Sequence, residues 1–360
     1  MRIIDFFFGK NKNKNKNSRG YEGASKSKRL SRWKTSGASA NSETFNSLPT
    51  LRARSRDLRR NNPYAARGIQ VVTSNVVGPG IHTQFRKPGA DIEVSSPLEE
   101  RWHNWANTPA IDYDGRHNIF GLQRLISDCV VESGEVLVRR RVLSGLAFPI
   151  QYQVLEPDFL DNTTSLKLDN GNKIIQGIEF DNQGKRVAYH LFETHPGGNG
   201  LEYKAASTKT NRVPASEVRH IYRMDRPGQA RGVPWLAPCI VRIKDLDDFE
   251  DAQLTRQKIA ACFVAFIRDI DPNAADLNQN EEPCDTPEKV EPGLIENLPS
   301  NKQVEFGNPP SVQNYQEFVT VHLHAIAAGL GITYSALTGD LSQVNFSSGR
   351  MGHLEFQRNL

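Results

Sequence analysis

The chain has 360 residues, room for two or three packed units at about 100–200 residues each. It is 38% hydrophobic and 24% charged, and no run approaches the ~18 consecutive apolar residues of a membrane helix. The start, Met1-Arg2-Ile3-Ile4-Asp5, puts apolar residues before a basic stretch, the wrong order for a secretory signal, so a soluble, non-secreted chain is expected.

Net charge is +4, but its layout is uneven. Residues 1–60 hold sixteen Lys or Arg against four acids, a net of +12, so the other 300 residues sum to −8. Residues 244–296 hold fourteen acids against five bases. A basic arm and an acidic middle serve different ends. The four cysteines, Cys129, Cys239, Cys262 and Cys284, form no C-x-x-C pair and are expected as free, mostly buried thiols.

In chain order, residues 1–50 read as a disordered basic arm: Lys and Asn alternate from Lys10 to Asn17, and Ser, Gly and Lys dominate to Ser47. Structure is expected from Leu51. Leu51–Arg60 is Arg-rich and helix-prone. Asn62-Pro63 offers an N-cap and a first-turn proline, Ala65, Ile69, Val72 and Val76 follow at helical spacing, and Gly78-Pro79-Gly80 stops the helix. Pro97–Trp105 and Ile119–Val130 read as helices, the second closing near Gly134. The pattern then shifts to period two at Val136 and Val138, and again at Ile150, Tyr152 and Val154. Ile174–Phe180 and Val187–Leu191 read as a hairpin joined by Asp181-Asn182-Gln183-Gly184, and Ile221-Tyr222 ends this section. A long helix is expected from about Pro234 to Phe263, with Ile240, Ile243, Leu246 and Phe249 as its stripe. Short strands at Phe263–Ile267 and Val304–Phe306 flank a Pro- and acid-rich module. A last helix carries Tyr315, Val319, Leu323, Ile326 and Leu330, with Gly331 as C-cap, and a Gly/Ser/Asn loop runs from Thr338 to Gly349.

Catalytic patterns are scarce. There is no P-loop, no zinc spacing and no G-x-S-x-G elbow. His195–Gly200 is Gly-rich but reads as a turn, and His322 and His324 diverge on a helix. Asp112, Asp114, Glu132 and Glu135 make a weak nuclease-type carboxylate set; Asp112–Gly115 fits a turn better. The chain is read as no enzyme, with no cofactor or metal. The alternatives are a metal-dependent nuclease or a DNA-binding module.

Four groups of segments, in order, resemble the lambda-type family of bacteriophage portal proteins. The first is Arg54–Ala65 with Asn75-Val76-Val77-Gly78-Pro79-Gly80-Ile81. The second is Ile178-Glu179-Phe180-Asp181, Val187-Ala188-Tyr189-His190 and His195-Pro196-Gly197. The third is Val213–Val218 with Arg226-Pro227-Gly228-Gln229-Ala230-Arg231-Gly232-Val233-Pro234. The fourth is Ala327–Tyr334, Leu337–Ser342 and Asn345-Phe346-Ser347-Ser348.

The resemblance implies an α+β portal-type fold: a wing over 51–234, stem helices over 235–263 and 311–331, a small α/β clip over 264–310, and a channel loop over 332–350. It implies a homo-oligomeric ring, usually of twelve, at a capsid vertex of the virion. Double-stranded DNA would pass through it without sequence specificity, during packaging and ejection. Assembly would occur in the host cytoplasm, with the terminase large subunit, major capsid protein and head-tail adaptor as partners and no membrane. Acids around such a pore would repel DNA, which carries one charge per ≈ 1.7 Å of axis, and let it slide. Asp245, Asp247, Asp248, Glu250 and Asp251 are the expected lining; Asp340, Gln343, Asn345, Ser347 and Ser348 are expected in the loop by position. Family members usually continue into a long helix and a C-terminal crown. On that comparison residues 351–360 are expected to open a truncated helix.

Overall fold

The computed structural model describes residues 28, 31–32, 34–85, 96–146, 148–198, 209–261, 265–269, 302–306, 314–342 and 344–359. Met1–Ser39 is one unit and Ala40–Leu360 a second, compact one. Most of the expected arm, Cys262, Cys284, Gln343 and the body of the expected clip lie outside the described residues.

Helix α1 (Ala40–Asn61) starts eleven residues before the expected Leu51. Its buried stripe is Ala40, Thr44, Leu48, Arg52, Ser55 and Leu58. Half of these are polar, and each polar member meets a distant partner. Gln176 Nε2 donates to Thr44 Oγ1 at 3.4 Å, Ser55 donates to the Glu132 carbonyl at 2.6 Å, and Arg52 Nε donates to the Ser133 carbonyl at 3.2 Å. Tertiary contacts therefore hold a segment that composition marks as disordered.

Helix α2 (Pro63–Val77) has the expected cap: Asn62 Oδ1 accepts from the Ala65 N–H at 3.0 Å. Helices α3 (Ser96–Ala106) and α4 (Ile119–Ser133) follow, and α4 closes on Gly134 at φ 89°. Strands β1 (Glu135–Val142) and β2 (Ile150–Leu155) form a hairpin. Next come β3 (Leu166–Lys167), β4 (Lys173–Ile175), β5 (Ile178–Phe180), β6 (Arg186–Phe192), β7 (Thr210–Pro214) and β8 (Val218–Tyr222). The expected single strand 174–180 is two strands. Gln176 (φ 49°) and Gly177 (φ 80°) reverse the chain, pairing Ile175 with Ile178 in a two-residue turn with both central φ positive. A Cβ on Gly177 would lie 2.2 Å from the Asp161 carbonyl oxygen, so glycine is required there.

β1 is the middle of a three-stranded sheet, order β2-β1-β8, and β3 to β7 form a five-stranded antiparallel meander. Leu137, Leu155 and Val218 of the first sheet pack with Ile178, Tyr189, Leu191 and Val213 of the second. The other face of β2 lies in an aromatic cluster with Trp105, Ile111 and Leu122. Each fully buried Leu or Ile here contributes about 1.5–3 kcal/mol.

Helix α5 (Ile240–Ala261) begins later than the expected Pro234, after successive turns from Pro234 to Cys239. Strands β9 (Ala265–Asp269) and β10 (Lys302–Phe306) pair antiparallel. Helix α6 (Tyr315–Leu330) ends on Gly331 at φ 72°, as expected. α5 and α6 pack through Ile240, Ile243, Leu246, Leu323, Ile326 and Leu330, joined by Ile69 and Val72 of α2. At the crossing, a Cβ on Gly329 would lie 2.3 Å from Cys239 Sγ, so this glycine sets how closely the elements approach. Helices α7 (Tyr334–Thr338) and α8 (Phe346–Asn359) take in the two ends of the expected loop 338–349 and leave a shorter connection between them. Among the described residues no helix is long and apolar enough to cross a membrane.

Candidate functional site

The acidic stretch sits on α5, and the helix divides it. Ile243 and Leu246 point inward, and the Phe249 ring packs on Phe318 at 4.3 Å between centroids. On the outward side lie Val241, Lys244, Asp245, Asp248, Asp251 and Lys258, all exposed. Lys244 pairs with Asp248 at 2.5 Å, an i,i+4 contact in water. The other two acids are half-buried. Asp247 accepts from Asn62 Nδ2 at 3.4 Å, tying α5 to the start of α2. Burial raises the Glu250 pKa, and the neighbouring Asp247 charge adds to this, against a hydrogen bond from Tyr315. Asp245, Asp248 and Asp251 thus form an outward stripe at spacing three, while Asp247 and Glu250 serve internal contacts.

Helix geometry also reassigns the loop residues. Gly339 (φ 76°) closes α7, and the Asp340 carboxylate accepts from the Ser342 N–H at 2.9 Å, which lowers its pKa. Asn345 Oδ1 accepts from the Ser348 N–H at 2.8 Å, and Ser348 Oγ accepts from the Asn345 N–H at 3.1 Å. This reciprocal cap starts α8, so Ser347 and Ser348 are its first turn and not loop. The cap leaves Phe346 84% exposed, with Leu341 and Met351 also in solvent.

The weak carboxylate set does not converge. Asp112 accepts from the N–H groups of Asp114, Arg116 and His117 at 3.1, 3.0 and 2.9 Å, as a turn residue does. Glu132 pairs with Arg59 at 3.0 Å. Glu135 is wholly buried and takes part in a different arrangement.

That arrangement is a closed charge cluster. Glu135 opens β1 and accepts from Arg52 of α1, from Arg231 Nε at 2.7 Å, from His220 Nε2 of β8 at 2.8 Å and from the Gly232 N–H at 2.6 Å. Arg231 also donates to the carbonyls of Gln176 at 3.0 Å and Pro157 at 3.2 Å. Beside two guanidinia the Glu135 carboxyl stays well below the usual carboxylate range despite its burial. Burial lowers the His220 pKa, and burial brings that of Arg52 to about 10. Two guanidinia already exceed the single carboxylate, so a third cation at His220 is disfavoured. Its Nδ1 has no hydrogen-bond partner among the described residues, consistent with a neutral ring donating through Nε2. The chain between β8 and α5 is held by this cluster. There a Cβ on Gly232 would lie 2.1 Å from the Gly134 carbonyl oxygen, and the Trp235 N–H donates to the Val131 carbonyl at 3.1 Å. Sequence spacing does not reveal the cluster. Its one signal is a carboxylate two residues before Leu137, on the same face of a strand.

Glu156, Asp158 and His195 bring ligand atoms within 4.8 Å of one another, but the set does not suit a metal ion. Arg56 already pairs with both acids, at 3.1 and 2.5 Å. The Gly197 N–H donates to His195 Nδ1 at 3.1 Å, so the ring proton sits on Nε2, the atom facing Glu156 at 3.4 Å. Cys129, nearby, has its thiol pushed up to about 12 by burial and is no nucleophile at neutral pH.

Residues 26–360 match the family model for phage portal protein, lambda family. The chain is 29% identical over 318 residues to a probable portal protein of Halomonas phage phiHAP-1, covering 85% of this chain and 61% of that protein. It is 22% identical over 332 residues to portal protein B of Escherichia phage lambda, covering 83% and 62%. It thus spans about six tenths of the length of these curated relatives. Among solved structures, a chain from the neck of a native GTA particle, computed with C12 symmetry, superposes with a TM-score of 0.52 at 12% identity, covering 84% of this chain and 75% of that one. That likeness shows a shared fold, and the match of nearly the whole chain to one family model settles its kinship: the chain belongs to the lambda family of phage portal proteins.

Proposed function

We propose that this chain is a subunit of a portal ring, the channel at one capsid vertex through which double-stranded DNA enters and leaves the virion. The observation that carries this is the family match over 26–360. The shared fold with a neck chain computed with C12 symmetry supports a ring of twelve. On this reading Ala40–Pro234 contributes the wing, α5 and α6 the stem, β9 and β10 the clip, and the short connection at Asp340–Asn345 the channel loop. The terminase large subunit, the major capsid protein and a head-tail adaptor are its partners. The role is mechanical rather than catalytic.

The stripe Asp245, Asp248 and Asp251 is the proposed pore lining, because these acids are the ones left exposed on α5. Repeated around a ring, they would keep the polyanion from binding the wall. Mass photometry and negative-stain imaging of the purified protein test the ring. Particles of about 480 kDa, twelve copies of 40.3 kDa, are expected, with a central hole. A monomer at every concentration up to the millimolar range refutes assembly by this chain alone.

A further inference from the structure

Residues of the two sheets that pack through Leu137, Leu155 and Val213 also line a cleft of about 350 Å³. Arg139, Arg141 and Gln153 line one wall, Asn211 and Arg212 the other, with Phe159 beside them. Arg139 and Arg141 are two apart on β1, so they project from the same face, while Arg140 projects from the opposite one.

The charges facing this cleft are unequally matched. Arg212 is committed to Glu179, at 2.7 and 3.1 Å. Arg139 has Glu217 at 3.5 Å, and Glu193 is an exposed acid at the lining. Arg141 stacks on the Tyr113 ring at 4.9 Å and has no carboxylate partner among the described residues. The Nε atoms of both Arg139 and Arg141 are shielded from solvent and have no acceptor among the described residues. Burial, and then the charge of Arg141, lower the Arg139 pKa, so the pair is held at an electrostatic cost.

We propose that this cleft is a binding site for a phosphate-type oxyanion, gripped by the guanidinium groups of Arg139 and Arg141. One such anion relieves the repulsion between the neighbouring cations and meets their terminal guanidinium nitrogens, because the shielded Nε groups are out of its reach. A guanidinium presents its donors as a fixed fork that matches tetrahedral oxyanions, which a lysine cannot do. The volume lies at the small end of ligand sites and admits free phosphate, a mononucleotide or one backbone phosphate of DNA. The site is independent of the ring reading, since every group in it belongs to one chain.

The test is thermal unfolding of the full chain at constant ionic strength, with chloride replaced stepwise by inorganic phosphate. A saturable rise in Tm with phosphate is expected. Arg141→Gln weakens the apparent affinity about ten- to a hundredfold, the usual worth of a charged hydrogen bond. Arg140→Gln leaves it unchanged. Should Arg141→Gln not fold, Arg141→Lys keeps the charge and removes the fork, and weaker binding is again expected. Thymidine monophosphate and a short DNA duplex are then competed against phosphate. Competition by the duplex identifies a nucleic-acid backbone as the source, and competition by the mononucleotide alone identifies a small ligand. A Tm that does not respond to phosphate beyond chloride overturns the site, as does equal weakening by Arg140→Gln or unaltered binding by Arg141→Lys.

Discussion

Replacing Glu135 by Gln keeps the shape of the side chain and removes its charge. Arg52 and Arg231, 3% and 0% exposed, are then buried cations without a counterion. Breaking a buried pair from one side costs about 3–5 kcal/mol, because the remaining charge cannot reach water. With the amide nitrogen in place of Oε2, an N–H faces both the Gly232 N–H and the His220 Nε2, which share that oxygen, so the backbone donor loses its acceptor. With an unfolding entropy near 2.1 cal/mol/K per residue, the Ala40–Leu360 unit shifts by about 1.5 °C per kcal/mol, so Tm should fall by about 4–8 °C. Urea unfolding and scanning calorimetry measure it. Replacing the whole set, Glu135→Leu with Arg52→Leu and Arg231→Met, should recover part of the loss, since the cost lies in the unpaired charge. Recovery is incomplete because the Gln176 and Pro157 carbonyls lose their donor. A loss below about 1 kcal/mol for Glu135→Gln refutes the claim that the cluster is sealed from solvent.

Acid should destabilise the fold in two stages, since the native state holds both Glu135 and His220 with lowered pKa values. The His220 contribution is present above its unfolded value of 6.5 and is lost as pH falls through its folded value, and the Glu135 contribution follows below 4.5. His220→Gln should flatten the first stage in urea midpoints taken from pH 7 to 5, and an unchanged slope there counts against a neutral, buried ring. Gly329→Ala should cost about 1–3 kcal/mol through its clash with Cys239 Sγ, and Cys239→Ala in the same chain should restore most of that; no rescue would place the strain elsewhere. Asn345→Ala removes a cap and should lower stability by about 1 kcal/mol, read as faster amide exchange in the first turn of α8. Reversing Asp245, Asp248 and Asp251 to Lys should slow DNA packaging more at low salt than at high, and packaging rates without a salt-dependent change remove the pore-lining role.

Where local chemistry decides structure, the sequence could be read directly. Asn62-Pro63 starts α2, and Gly134 and Gly331 close α4 and α6, because caps and left-handed turns depend on residues a few positions apart. Helix α1 escaped in its first eleven residues because Ala40 and Leu48 are the only buried apolar residues there, and Thr44, which counts as solvent-facing in any hydrophobic stripe, has its partner Gln176 132 residues away. The Gln176-Gly177 reversal was hidden inside an apolar run, since Gln is an uncommon first residue for such a turn. On α5, composition singled out five acids, but only helix phase separates the outward three from Asp247 and Glu250. The cluster around Glu135 draws on four distant segments, and no spacing rule gathers them.

The short run from Gln229 to Trp235 has little slack. Gln229 Nε2 is bonded to the Arg231 carbonyl, Arg231 and Gly232 to Glu135, and Trp235 to Val131. A tether fixed at so many points is a poor hinge. A tilt of α5 at its Ile240 end therefore pulls directly on the first residue of β1, and through Arg52 on α1. Torque applied along that helix would arrive at the sheets as strain shared among buried hydrogen bonds, not as free rotation of a joint.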